Sequence, residues 1–357
     1  MKSEKHGADI FAAAKISGID ENSIIDFSSN INPLGIPLSV EKAIINSIKY
    51  SSRYPDIHYR RLIEGISVYE NVPVSYIFPS NGAAEVIFRI ALSLKPAYAL
   101  LTAPTFSEYE SALKTVDCSI KYYYLNESEN FNITRSIFDE INTVDVVFIC
   151  NPNNPTGQIT DNNLLEKIIA QCKLSDTIVV IDECFMDFVK DKEKFSVCHL
   201  LKKYDNLIVL KAFTKIFAVP GIRIGYCMSS NEKIIDNLKK AGPPWNVSVP
   251  AQEAALAAVN EKDYLSQSIE FIRNQRKYLI DEIKKLNITS YESYANYILF
   301  KINDDIDLKE EFIKKGILIR SCANYKNLSD KYYRIAVKTE KENKLFIEIL
   351  KGIMINR

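Results

Sequence analysis

Five short apolar runs recur through the middle of the chain and leave few folds open to it: AYALLTA from Ala97, VVFIC from Val146, TIVVID from Thr177, NLIVLKAF from Asn206 and RIGYCM from Arg223. Each has the length of a strand, and helical patterns accompany them. The clearest helix starts at Ala83, where AAEVIFRIALSLK sets Val86, Ile87, Ile90, Ala91 and Leu94 on one face. Strands alternating with helices predict a mostly parallel sheet covered by crossover helices. Most of the runs end in polar or small residues, and ligands of open α/β sheets gather at the carboxyl ends of the strands. Functional residues are therefore expected just downstream of the runs.

The pattern changes after PPWNV at Pro243, giving way to long charged helices, two short strands in YILFKI and YYRIAV, and a final helix from Glu340. A chain of 357 residues is long enough for two unequal domains. The expected partition is a large domain over residues 51–245 and a smaller α/β domain over 246–357 that also receives residues 1–50. The 45 basic and 45 acidic residues cancel and form no long block, so no footprint for nucleic acid or an anionic membrane is visible. Seven cysteines without C-x-x-C spacing read as reduced thiols, with neither a disulfide framework nor a metal site. MKSEKHGADI carries no apolar core of signal-peptide length, and no later run approaches membrane-span length. A soluble cytoplasmic protein acting on a small molecule is expected.

The residues that carry chemistry follow the runs. FTKIFAVPGIRIG places Lys215 at the expected end of a strand, beside the Thr214 hydroxyl and eight residues before Arg223. A lysine amine lowered by burial or by nearby cations is nucleophilic enough to form an imine with an aldehyde cofactor, and Thr214 and Arg223 suit a phosphate on that cofactor. A single lysine there is more often an ordinary surface residue; the companions change the odds. Asp182 closes an apolar strand, where an unpaired carboxylate costs several kcal/mol, and a protonated pyridine nitrogen would satisfy it, as would a helix start or an arginine. NPNNPTG, residues 151–157, is a turn in which Asn154 can donate an amide hydrogen bond. SNGAAE opens the first long helix with backbone N–H groups at Gly82, Ala83 and Ala84 that can cradle a phosphate.

Together with PTFSEYE, these segments occur in an order that resembles fold type I of the pyridoxal-phosphate enzymes, the aspartate aminotransferase superfamily, over almost the whole chain. The resemblance implies a seven-stranded, mostly parallel sheet in the large domain and pyridoxal 5'-phosphate bound to Lys215. Asp182 would meet the ring nitrogen, Asn154 the phenolic oxygen, and Phe106 the ring face. Ala83, Ala84, Thr214 and Arg223 would hold the phosphate, with Tyr54 of RYPD reaching in from a second subunit of a homodimer. Arg334 of YYRIAV looks like the arginine that grips a substrate carboxylate, a task suited to a bidentate guanidinium.

Within the superfamily, HGADIFAAAKISGIDENSIIDFSSNINPLGIP, PPWNVSVPAQEAAL and GILIRSCANYKNL resemble the threonine-phosphate decarboxylases of cobalamin biosynthesis more than the histidinol-phosphate aminotransferases. That resemblance implies a lyase converting L-threonine O-3-phosphate to (R)-1-aminopropan-2-yl phosphate, with His6, Gly7, Asn32, Asn154, Arg320 and Arg334 lining the substrate site. Transamination of histidinol phosphate is the alternative, and a cofactor-binding regulatory domain without turnover is a third reading. The chain departs from the superfamily pattern at four positions. Ala212 replaces a phosphate-binding serine, a hydrogen bond worth about 1.5–3 kcal/mol when the acceptor is charged. Lys211 stands for an arginine, Phe185 for a tyrosine that donates to the ring oxygen, and Ser248 for an asparagine. His58 and His199 have no such context and read as surface or packing residues.

Overall fold

The structure, a computed structural model, describes residues 7–355. A two-residue strand β1 (Ile25–Asp26) comes first. The main sheet follows, built from β2 (Ile77–Ser80), β3 (Tyr98–Ala103), β4 (Ser119–Tyr124), β5 (Val146–Cys150), β6 (Ile178–Asp182), β7 (Leu207–Ala212) and β8 (Gly225–Met228). Its order is β2-β8-β7-β6-β5-β3-β4, parallel except that β8 runs antiparallel to both neighbours.

The central strands have no polar alternation because both faces of the sheet are covered. Val147, Ile149, Val179, Ile181 and Val209 enter one core cluster, while Val146, Phe148, Val180, Ile208 and Leu210 enter the other. All five expected runs form strands, with two differences at the last pair. Lys215 is not on a strand end but on a one-turn helix, Phe213–Ile216, that follows β7 directly. The run from Arg223 becomes a strand only at Gly225, and Arg223 itself turns the chain at φ 60°. Strands β2 and β4 lie beyond the five expected runs. Both are edges: β2 carries Pro79, which the middle of a sheet would not tolerate, and β4 is largely half-exposed or exposed. The helix expected from Ala83 starts at Gly82 and runs to Leu94.

The remaining strands are β9 (Thr289–Ser290), β10 (Tyr297–Lys301), β11 (Ile317–Leu318), β12 (Arg320–Ser321) and β13 (Tyr332–Ala336). Four of them form an antiparallel sheet in the order β12-β13-β10-β9, and β11 pairs in parallel with β1. Helices Lys262–Lys285 and Glu340–Ile355 accompany this smaller sheet. The N-terminal segment is stitched into it. Phe27 N–H donates to Leu318 O and Ala336 N–H donates to Phe27 O, each at 2.8 Å, and the Phe27 ring packs 5.1 Å from Phe346. Among the described residues no helix is long and apolar enough to cross a membrane.

Candidate active site

A cavity of about 520 Å³ opens at the carboxyl ends of β5, β6 and β7. The main sheet supplies Cys150, Asn154, Asp182, Cys184, Phe185, Ala212, Thr214 and Lys215 to its wall, and the opposite side is closed by Gly7, Ala8, residues 28–31, Arg320, Tyr325 and Arg334.

Lys215 stands one turn beyond β7 because Ala212 ends the ladder in extended geometry and the chain then coils. Burial pushes its amine down to about 8; Arg334 and Arg223 push the same way, while Cys184 and Asp182 oppose. About a tenth of the amine is therefore neutral at pH 7, far more than at an ordinary lysine, as a nucleophilic lysine requires. Asp182 ends β6 and is 5 % exposed. It accepts the Tyr109 hydroxyl at 2.6 Å and the Cys184 N–H at 3.0 Å, and no lysine or arginine among the described residues forms a salt bridge with it. Two neutral donors leave a buried negative charge without a counter-ion, so the carboxylate fits a cationic ring nitrogen.

The anion cradle lies at the start of helix Gly82–Leu94. Gly82 has φ +76°, and a Cβ there would sit 2.8 Å from Arg223 Nη2, so the guanidinium lies against the first helical turn. Gly225 permits the same closeness from below, since a Cβ there would meet Ala83 N at 2.8 Å. Helix N–H groups, the buried Thr214 and Arg223 converge on one place, the donor set a phosphate needs. Ala212 lines the same wall and offers no hydroxyl. Phe106 borders the cavity, held edge-on to Tyr109 with centroids 5.7 Å apart. These residues fit pyridoxal 5'-phosphate in charge, in donor type and in position along the fold.

On the other wall Arg334 donates from Nη1 to Asn154 Oδ1 at 2.5 Å and from Nη2 to Ser28 O at 2.6 Å, and its buried Nε has no partner among the described residues. Because Arg334 occupies the carbonyl end of the Asn154 amide, Nδ2 remains as the donor that residue can offer. Arg320 and Arg334 are direct partners across β12 and β13, each 6 % exposed. Directly opposed like charges repel. Arg320 meets Asn324 Oδ1 at 2.9 Å and the Tyr325 ring at 5.6 Å.

Two of the expected site residues lie elsewhere. Asn32 does not line the cavity: its amide donates to Ile216 O and to Ser268 Oγ, each at 2.8 Å, and its N–H donates to Lys215 O, so it braces the lysine turn from behind. Its place on the wall is taken by Asn30, whose buried Oδ1 has no partner among the described residues. Tyr54 is 81 % exposed and leans on Trp245 with centroids 4.9 Å apart, away from this chain's cavity. His6 lies outside the described residues. Ser28, Tyr325 and Tyr109 were not foreseen, and the repeated asparagine of SSNIN was the one signal pointing to Asn30. Ser248 has a local reason: it caps helix Val249–Ala258, accepting the Ala251 N–H at 3.3 Å. Phe185 packs edge-on to Tyr297 at 5.0 Å and brings no hydroxyl to the cavity.

A doubly covered sheet with a nucleophilic lysine, an uncompensated aspartate and an anion cradle at its strand ends defines a fold type I enzyme. The chain belongs to the aminotransferase class I and II family, which it matches over residues 22–350. It is 34% identical to the threonine-phosphate decarboxylase of Salmonella typhimurium, over 98% of this chain and 96% of that one. It is 31% identical to a histidinol-phosphate aminotransferase of Methanosphaera stadtmanae, over 95% and 93%. Among solved structures it resembles the histidinol-phosphate aminotransferase from Clostridium acetobutylicum, with a TM-score of 0.88 and 35% identity over 94% of this chain and 100% of that one.

Proposed function

We propose that this protein is a pyridoxal-phosphate-dependent lyase that decarboxylates an O-phosphorylated amino acid, L-threonine O-3-phosphate, to (R)-1-aminopropan-2-yl phosphate. The observation that carries the reading is the pair Arg320 and Arg334, two buried cations facing each other across neighbouring strands. With Lys215 and Arg223 committed to the cofactor, this pair suits one small substrate with two anionic groups, a carboxylate for Arg334 and a phosphate for Arg320. The likeness to the Salmonella decarboxylase over nearly the whole of both chains supports the same choice.

Ala83 and Ala84 N–H groups, Thr214 and Arg223 would hold the cofactor phosphate, Phe106 would cover the ring, Asp182 would pair with the ring nitrogen and Asn154 Nδ2 would donate to the phenolic oxygen. Bound there, pyridoxal phosphate supplies an electron sink for the pair left at Cα when a bond to that carbon breaks. Arg334 would fix the substrate carboxylate, the group whose bond to Cα is to break. Gly7, Ala8 and Asn30 close the side toward solvent. Lys215 Nζ then delivers a proton to Cα where carbon dioxide has left. Loss of the carboxylate removes the charge that Arg334 held, which loosens the product. Tyr54, exposed in one chain, would reach the cofactor phosphate of the neighbouring site in a homodimer.

The test is an assay of the purified holoprotein with threonine phosphate. Release of carbon dioxide without a keto acid is expected. Glutamate formation dependent on 2-oxoglutarate would instead establish transamination, the reading favoured by the likeness to the Methanosphaera enzyme. Cofactor binding without either turnover would leave a regulatory role.

A further inference from the structure

Two segments distant in sequence, at Ala8 and at Arg334, meet at Ser28. Its carbonyl accepts Arg334 Nη2 at 2.6 Å, its Oγ accepts the Ala8 N–H at 2.7 Å, and its own hydroxyl donates to Asp26 Oδ1 at 2.6 Å. The Asp26 carboxylate also accepts the N–H groups of Ser28, at 2.7 Å, and Ser29, at 3.2 Å, together with the Ser29 hydroxyl. We propose that Asp26 and Ser28 are positioning residues that couple the N-terminal strap Gly7–Ala8 to Arg334, so that the strap closes over the cavity only when the substrate-binding guanidinium is in place.

The polarity of the bonds fixes what Ser28 offers to the strap. A serine hydroxyl has one hydrogen, and Asp26 takes it, so the Oγ lone pairs are left to receive Ala8 N–H. Charge-assisted acceptance by a carboxylate holds that arrangement more firmly than a neutral partner would. The knot is anchored at both ends, because β1 pairs with β11 and Phe27 bonds to Leu318 and Ala336, two residues beyond Arg334. The strap is shaped to it. A Cβ on Gly7 would lie 2.8 Å from Ser28 O and 2.9 Å from Ser28 Oγ, so only glycine lets the chain pass this close. Ala8 is held at φ 71°, a conformation that the Ala8–Ser28 bond helps to maintain. Gly7 and Ala8 both line the cavity, so a strap released from Ser28 would admit water to the substrate side.

This inference rests on Arg334 acting as a substrate contact, and its test separates the two. In the full-length holoprotein, deuterium exchange of a peptide spanning Ala8 is compared among wild type, Ser28→Ala, Ser28→Thr, Asp26→Asn and Arg334→Ala. Loss of one anchoring bond predicts about a 10-fold faster exchange in Ser28→Ala. The same direction of change is expected for Asp26→Asn and Arg334→Ala, and protection returns in Ser28→Thr. With threonine phosphate, Ser28→Ala should raise KM by about the same 10-fold while kcat changes less. Unchanged strap exchange in Arg334→Ala, or faster exchange in Ser28→Ala with an unaltered KM, overturns the coupling. If wild type does not turn over threonine phosphate, the substrate reading fails and the exchange results alone decide. Should Ser28→Ala not fold, Gly7→Ala breaks the contact from the strap's side, with the same expected exchange.

Discussion

Lys215 is where chemistry and pH meet. Only a neutral amine attacks an aldehyde, and burial has moved this one from 10.5 down to about 8. Below that value the reactive fraction falls about tenfold per pH unit; above it the fraction is constant. The rate at which cofactor-free protein combines with pyridoxal phosphate should therefore climb to about pH 8 and then level off, as followed by visible absorbance. A rate still climbing toward pH 10 would contradict the burial argument, and Lys215→Arg should develop no colour. Phe185 makes a second prediction. A phenol donating to the cofactor's ring oxygen would favour its deprotonated form, so Phe185→Tyr should lower the pH of the holoprotein's spectral transition by about one unit. Superimposable titrations of the two proteins would refute this.

Between neighbouring elements, one buried ion pair ties the strands that carry these residues. Successive strand residues point to opposite faces, so Ala212 looks into the cavity and Lys211 away from it. Lys211 is 2 % exposed and sits 3.0 Å from Glu183, which is fully buried, with Glu70 at 3.9 Å. Burial works against its charge, yet Cys198, Glu70, Glu183 and Asp187 around it raise the amine well above its ordinary value. Glu183 also takes the Val197 N–H at 2.7 Å and the Ser196 hydroxyl at 2.8 Å, and Glu70 takes the Tyr226 hydroxyl. The network thus braces the ends of β6 and β7 directly behind Asp182 and Lys215. Removing one partner strands the others, so Lys211→Met should cost about 3–5 kcal/mol of stability, while Lys211→Arg keeps the charge and most of it. Thermal unfolding of the three holoproteins measures the difference.

Across the whole molecule, one expected cofactor contact does not lie in this chain's own cavity. Tyr54 and Trp245 are exposed together, and Leu38, Ile45 and Ile48 expose apolar side chains on the same N-terminal stretch. Exposed apolar side chains in such number suit self-association. In the proposed homodimer Tyr54→Phe removes one hydrogen bond to the cofactor phosphate, weakening cofactor affinity about 10-fold without dissociating the subunits. Cofactor titration and sedimentation read the two effects separately; a monomer that binds the cofactor fully would overturn the shared site.

Much of this arrangement was legible in the chain because it is written locally. Strand-length apolar runs announced β3 and β5 to β8, and the polar residues at or near their ends announced Asn154, Asp182, Lys215 and Arg223. What a segment does not contain is its register against a distant one. In NIN the two asparagines are equivalent by pattern, and only the approach of Ile216 and Ser268 turned Asn32 into a brace and left Asn30 facing the cavity. The facing of Arg320 and Arg334, the meeting of Glu70 with Lys211 and the convergence of Ala8 and Arg334 on Ser28 are likewise decided by packing. The chain by itself determined which side chains could do chemistry, since backbone pattern and side-chain type are local properties. Which of them share a cavity was decided by the tertiary structure, because hydrogen bonds and charges act over a few ångströms of space whatever their separation along the chain.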